Sequence, residues 1–347
     1  MHPRPALHAI PLVAALVGVA VACAGCAGAP HDGGLRLGYF PNITHAQALY
    51  GIQEGLYARH LGSHPFKAVA FNAGPTAMEA LLTGQIDATY VGPSPALSAL
   101  AAAGGDVVRI VAGSASGGAR FIVQPGLNLS SDSSLGGRTF ASPQLGNTQD
   151  VSLKAYLKAH GHGTKDRGGD VQVINAANPD ILTLFLQHQI DGAWVPEPWA
   201  TRLVRDGGGS EFLDERSLWP GGRFVTTQVV TTRTYMENHP DQVRALLEAH
   251  VEATLAVQRG GPALLDVLNT AIEKAAGKRL PEALLAESFT KVDFTNDPLP
   301  ETLYAFADKA RSLGTLRGEL PPASKAMDLR ILNQILAGRN LPLVAQP

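Results

Sequence analysis

The sequence predicts an α/β protein built as two similar lobes, joined by a hinge that the chain crosses twice. Three observations carry this. Short apolar strands alternate with helices through most of the chain, one helix–strand unit recurs, and the last third is helical with no new lobe.

The recurrence is the most informative. Residues 74–91 read GPTAMEALLTGQIDATYV and residues 178–195 read NPDILTLFLQHQIDGAWV. Aligned without gaps, they share Pro75/Pro179, Leu82/Leu186, Gln85/Gln189, Ile86/Ile190, Asp87/Asp191 and Val91/Val195. Each proline sits in a first helical turn, where its missing N–H forfeits no hydrogen bond. Each copy then runs through a tight turn and a strand into a Pro-rich loop that opens another helix. These loops are Gly92-Pro93-Ser94-Pro95 and Pro196-Glu197-Pro198-Trp199. A shared Q-I-D in the same turn favours two lobes of one design over chance convergence.

Taken in order, strands are expected at residues 35–39, 67–71, 86–91 and 107–112. Between them lie helices from Thr44 to about His60, from Gly74 to about Gly84, and over 95–103. Thr44-His45-Ala46-Gln47 has the form of a capping box. A second α/β stretch follows, with strands at 121–124, 138–141 and 171–174 and a helix at 150–159. Residues 224–231, β-branched and Gln-interrupted, fit a strand that crosses back. Helical patterns then cover 242–257, 262–274, 281–292, 301–313 and 327–336. The expected division is 35–121 with 226–347 as lobe I and 122–225 as lobe II, with crossings near 120–124 and 224–231.

Composition narrows the function. With 45% hydrophobic and 17% charged residues, the 347-residue chain has a globular balance, and a formal net charge of −2 leaves no basic field for nucleic acid. The two cysteines, Cys23 and Cys26, both precede the body of the chain, which excludes a Cys-based zinc site, a thiol nucleophile and a disulfide there. Residues 10–22 form an apolar run shorter than the roughly 20 residues that span a bilayer, and of signal-peptide length. Ala20-Val21-Ala22-Cys23 then resembles a bacterial lipobox, so residues 1–23 are expected to be a signal peptide with lipidation at Cys23, followed by a tether over 24–34. Cys26 is a second candidate, and an ordinary cleaved signal is the alternative. The expected location is extracytoplasmic, periplasm or cell surface, with membrane attachment through the lipid alone.

In open parallel sheets, ligands bind outside the carboxyl ends of the strands. Two lobes facing each other there form a cleft, and helix starts in its walls offer unpaired N–H groups to an anion. Thr44, Ser94, Asn147 and Thr148 stand at such starts, either as helix caps or as ligand contacts. Gly113-Ser114-Ala115-Ser116-Gly117-Gly118 reads either as backbone that approaches a ligand or as a surface loop. Trp194, inside its strand, reads as core and Trp199 as a wall of the site. Glu197 either meets the ligand or pairs with Arg202, and His45 either donates to an anion or is structural. His160-Gly161-His162 is a weak metal pair. No G-x-S-x-G, H-E-x-x-H or P-loop is present.

The motifs YFPNITHA (39–46), FNAGP (71–75), QIDATYVGPSP (85–95), PQLGNTQD (143–150) and IDGAWVPEPWATRL (190–203), in this order, resemble the aliphatic-sulfonate-binding proteins of ABC importers. Relatives of that family bind nitrate, bicarbonate, taurine and thiamine-precursor pyrimidines. The resemblance covers residues 35–336. It implies the two-lobed periplasmic-binding-protein fold of type II. It also implies a small organic anion as ligand, an ABC permease and ATPase as partners, a monomer, and no cofactor, metal or catalytic residue. Pyrimidine synthases that resemble the family carry a cysteine-rich motif that is absent here. By resemblance Ser94, Asn147, Thr148 and Glu197 fall in cleft-lining motifs, and His45 falls where pyrimidine-binding relatives also carry a histidine. The expected contacts are Asn42, His45, Gly74, Ser94, Ser114, Gly117, Asn147, Thr148, Glu197 and Trp199. A small or polar residue is expected at position 120, where Arg120 either adds charge for the anion or faces solvent.

Overall fold

The computed structural model of the protein describes residues 33–102, 106–127, 129 and 132–347. Cys23, Cys26, the expected signal and the tether up to residue 32 lie outside the described residues. Eleven strands are β1 (Leu35–Tyr39), β2 (Phe66–Ala70), β3 (Ala88–Val91), β4 (Val108–Gly117), β5 (Ala119–Val123), β6 (Thr139–Ser142), β7 (Gln172–Asn175), β8 (Gly192–Pro196), β9 (Ser210–Asp214), β10 (Val225–Thr232) and β11 (Val292–Phe294). The helices are α1 (Ala46–Gln53), α2 (Leu56–Leu61), α3 (Gly74–Leu82), α4 (Pro93–Ala102), α5 (Thr148–Ala159), α6 (Asn178–Leu186), α7 (Trp199–Arg205), α8 (Arg233–Asn238), α9 (Pro240–Arg259), α10 (Pro262–Ala276), α11 (Glu282–Thr290), α12 (Pro300–Ser312), α13 (Ala323–Ala326) and α14 (Arg330–Gly338).

The strands form two sheets, in the orders β11-β4-β10-β3-β1-β2 and β7-β6-β8-β5-β9. One pairing rule builds both. In the first, β1 lies parallel between β2 and β3, and β3 meets β10 antiparallel. In the second, β6 lies parallel between β7 and β8, and β8 meets β5 antiparallel. The repeated aspartates fix the register of each parallel pair. Asp87 accepts the Arg36 backbone N–H at 2.7 Å and the Arg36 guanidinium at 2.6 Å. Asp191 accepts the Thr139 N–H at 2.8 Å and the Arg138 guanidinium at 3.3 Å. The carboxylate thus ties the end of a helix–turn unit to the start of the neighbouring strand.

Side-chain alternation sorts the second sheet onto two faces. Ile122, Ala193 and Val195 pack with Ile181 and Phe185 on one face. Phe121, Phe140 and Trp194 pack with Leu153 on the other, and Phe121 stacks on Trp194 at 5.5 Å. Both faces are therefore closed by helices, as a parallel α/β sheet requires. The larger sheet buries Leu37, Ala88, Tyr90 and Val229 in the same core as α9 residues such as Leu246 and Val251.

Several local expectations change. The helix expected from Thr44 to His60 is a 3-10 turn (Ile43–His45) and then α1 and α2, broken at Gly55 in the left-handed region (φ 66). No capping box forms: Gln47 instead donates from Nε2 to the Ser114 carbonyl at 2.6 Å. The Gly113–Gly117 stretch is neither a surface loop nor a ligand loop. It continues β4, paired with β10 and β11. Its small residues answer to close packing, since a Cβ on Gly113 would lie 2.0 Å from the Asp297 carbonyl oxygen. The chain passes between sheets at Gly118, and all of β5 belongs to the second. The return runs through 3-10 turns at Glu215–Leu218 and Pro220–Gly222, and β10 is a central strand of the first sheet.

Candidate functional site

The carboxyl ends of the parallel strands from both sheets meet across a cleft. From the first lobe, Phe40, Asn42, Thr44, His45, Asn72 and Gly92 line it; from the second, Asn147, Thr148, Gln149, Asn178 and Pro196. Thr226 and Thr227 of β10 complete the wall. The space enclosed in the cleft is about 20 Å³, little more than one water molecule occupies. It is therefore narrow. A Cβ on Gly92 would lie 2.3 Å from Thr148 Oγ1, so glycine is needed there for the lobes to meet.

None of the described lining residues is Lys, Arg, Asp or Glu. Charge recognition would therefore rest on neutral donors. Helices α5 and α6 begin at the cleft, at Thr148 and Asn178, and neither carries a side-chain cap, so their first-turn amides keep their donor capacity. Burial lowers the His45 pKa to about 3, which keeps the ring neutral. Its Nδ1 accepts the Phe40 N–H at 3.3 Å. Assigned from that contact, the tautomer carries hydrogen on Nε2, a donor. Asn42 Oδ1 accepts the Trp199 indole N–H at 2.9 Å, which turns the Asn42 amide nitrogen away from that contact. Thr148 Oγ1 and Asn178 Oδ1 are buried with no hydrogen-bond partner among the described residues. Unpartnered buried polar atoms are uncommon, and two facing one cleft mark a place for a polar guest.

Four of the expected contacts, Asn42, His45, Asn147 and Thr148, come together in this lining. The other six go elsewhere. Gly74 packs at the edge against Pro95 and Asn147. Ser94 Oγ donates across the lobes to the Gly146 carbonyl at 2.9 Å. Ser114 is inside the first lobe, donating to Gln47 Oε1 at 2.9 Å. Gly117 lies against the Arg216 guanidinium. Trp199 supports Asn42 from behind.

Glu197 is fully buried and pairs with Arg120 rather than Arg202. Arg120 Nε donates to Glu197 Oε1 at 2.8 Å, Nη2 to Thr201 Oγ1 at 2.6 Å and Nη1 to Glu211 at 2.7 Å. Burial pushes the Glu197 pKa up, and Arg120 opposes that shift. Arg120 is thus neither a ligand charge nor a solvent residue. The pair holds the loop that supplies Pro196 to the wall, and the Glu197 carbonyl accepts the Ile43 N–H from the other lobe at 3.1 Å. His162 pairs with Asp170 at 2.7 Å, and the His160 ring packs on Tyr156.

Sequence reasoning missed Thr226 and Thr227, whereas Asn72 and Asn178 lie in stretches read as loops after strands, where the cleft was expected, without being singled out. The two threonines sit in a β-branched run that reads as buried strand. Asn178 could have been found from the repeat, because it occupies the helix start where the first copy has Gly74.

The fold matches solved periplasmic binding proteins. The alkanesulfonate-binding protein SsuA from Xanthomonas axonopodis pv. citri, bound to MOPS, superposes with a TM-score of 0.72 at 21% identity, covering 87% of this chain and 100% of that one. The periplasmic nitrate-binding protein NrtA from Synechocystis PCC 6803 gives 0.73 at 16% identity, covering 91% of each chain. In sequence, the taurine-binding periplasmic protein of Escherichia coli (strain K12) is 26% identical over 183 residues, 53% of this chain and 54% of the relative. The chain therefore spans about half the length of that curated relative. Residues 28–264 match the model of the NMT1-like family, more than half the sequence, and with the two-lobed fold in place this chain belongs to that family.

Proposed function

We propose that the protein is the solute-binding component of an ABC importer and that its cleft holds a small organic anion, an aliphatic sulfonate. The observation that carries this reading is the cleft itself: two uncapped helix starts, a neutral imidazole and an unpartnered hydroxyl, with no acidic residue in the described lining. An oxyanion head suits such a set, because charge-assisted hydrogen bonds contribute about 1.5–3 kcal/mol each. Three or four of them reach the roughly 8 kcal/mol of a micromolar complex, before the cost of closing the lobes.

In this reading lobe I comprises residues 35–118 and 226–347 and lobe II residues 119–225. Cys23 carries the lipid that holds the protein outside the cytoplasm, a permease and ATPase take the ligand onward, and the protein acts as a monomer. It acts by binding rather than by catalysis in this reading: the chain beyond Cys26 lacks the cysteine-rich motif of the pyrimidine synthases that resemble the family. One observation favours taurine as a second reading. Asn178 Oδ1 is an acceptor without a partner, and a ligand amine would supply one. Against it, the nearby carboxylate, Glu197, is committed to Arg120.

A thermal-shift screen of alkanesulfonates, taurine, nitrate and pyrimidines separates these. A ligand that binds only the folded state raises the melting temperature by mass action. Alkanesulfonates are expected to give the largest rise. No rise with any sulfonate, and a clear one with nitrate or a pyrimidine, would reject the sulfonate and keep the binding-protein class.

A further inference from the structure

A helix leaves its last carbonyls without donors of its own. At the end of α12, three of these are satisfied within the first lobe. Leu313 N–H reaches Lys309 O at 3.3 Å, Thr315 N–H reaches Ala310 O at 3.0 Å, and Gly314 N–H reaches Arg311 O at 2.8 Å. The next two carbonyls are met from the second lobe. Lys158 Nζ, near the end of α5, donates to Ser312 O. Arg167, in the 3-10 turn Lys165–Arg167, donates from Nη1 to Leu313 O. Cations at a helix C-terminus also complement its partial negative charge.

Helix α5 joins this seam to the cleft. Its first residue, Thr148, lines the cleft, and Lys158 lies about 15 Å along the same helix at 1.5 Å per residue. A movement of α5 that withdraws Thr148 from the first lobe also withdraws Lys158 from α12. We propose that Lys158 and Arg167 form a latch that sets ligand affinity by holding the lobes closed, without touching the ligand. The proposal rests on the binding-protein reading and deepens it. When a binding-competent state is only partly populated, apparent affinity falls by that fraction. Both latch bonds exist only when the lobes meet, so they add to the closed state alone. They lie at an exposed seam, so salt weakens them.

The test is a Lys158→Met/Arg167→Met double variant of the full chain, titrated with each panel ligand that binds the parent. Affinity is expected to fall about tenfold, as for losing two exposed charge-assisted bonds. The loss should appear as faster dissociation, with the ratio of affinities between ligands unchanged, as is the melting point of the ligand-free protein. The Lys158→Arg/Arg167→Lys variant should restore binding. Unchanged affinity would overturn the latch. So would a changed ratio between ligands, which signals direct contact, or a lowered ligand-free melting point that the conservative pair does not rescue, which signals simple structural support. Small-angle scattering of the ligand-free proteins keeps the test independent of ligand identity. The double variant should have the larger radius of gyration. If no panel ligand binds the parent, the binding reading has failed, and superimposable scattering curves then reject the latch separately.

Discussion

The two copies of the helix–turn–strand unit, residues 74–91 and 178–195, share a scaffold and diverge where they face the cleft. Asp87 and Asp191 do the same work, each tying a turn to the start of the parallel strand at the centre of its pairing, β1 or β6. The aromatic two positions beyond the strand start is buried in both copies, but its polar atom meets a base in one and an acid in the other. Tyr90 hydrogen-bonds His250 Nδ1 at 2.7 Å, whereas the Trp194 indole donates to Glu215 at 2.8 Å. At the helix start, Gly74 packs closely where Asn178 offers a polar side chain. At the strand's carboxyl end, Gly92 admits the opposite lobe where Pro196 forms a wall. The repeated identities therefore maintain architecture, and the differences at the helix start and strand end fall at the cleft.

The largest expected effect sharpens the shared part. Asp87→Ala removes a nearly buried carboxylate that ties Arg36 and β1 to the turn and should cost about 3 kcal/mol in urea unfolding. Asp191→Ala removes a more exposed pair and should cost about 1–2 kcal/mol. Equal costs would show that the two clamps are not graded by burial. In the divergent part, Gly92→Ala puts a methyl group against Thr148 and should weaken binding about 100-fold with little change in ligand-free stability. Thr148→Val removes only the hydroxyl and should weaken binding about tenfold. If either variant lost stability as much as binding, its position would be structural rather than part of the site.

The two aromatic partners should titrate with opposite sign. Burial lowers His250 to about 4 from an ordinary 6.5. Between those values the unfolded chain takes a proton that the folded chain refuses, so this stabilisation is complete above pH 6.5 and lost as pH falls through about 4. His45 adds the same sign, extending toward pH 3. Burial pushes Glu215 above its ordinary 4.5, so its contribution is complete below 4.5 and lost as pH rises through the raised value. Urea unfolding across pH checks both, at slopes of up to about 1.4 kcal/mol per pH unit per group. His250→Asn should flatten the acid side, and Glu215→Gln the side above it. The same slope in parent and variant would contradict the assignment. The smallest effect concerns the turn between helix and strand. Gly84 and His188 occupy equivalent positions, both left-handed (φ 70 and φ 55). His188→Gly should stabilise the protein by up to about 1 kcal/mol, less whatever its contact with Gln124 contributes.

The repeat and the helix starts were legible because periodicity and proline placement are local properties. Thus β1 and α12 fall within one residue of expectation. What was illegible depended on distant partners. Gly113 to Gly117 has the composition of a loop, yet its two end glycines are fixed by distant groups, the Asp297 carbonyl against Gly113 and the Arg216 guanidinium against Gly117. Glu197 stands in a motif that suggests ligand contact, but its partner Arg120 lies 77 residues away. Thr226 and Thr227 look like ordinary strand residues until β10 is placed centrally in its sheet.

The most direct test is calorimetric titration of an alkanesulfonate at pH 6, 7, 8 and 9. Because the described lining holds no charged side chain and His45 stays neutral throughout, the affinity should be micromolar or tighter and constant across the series. A heatless titration, or an affinity that changes tenfold with each pH unit, would contradict the recognition of an anion by neutral donors.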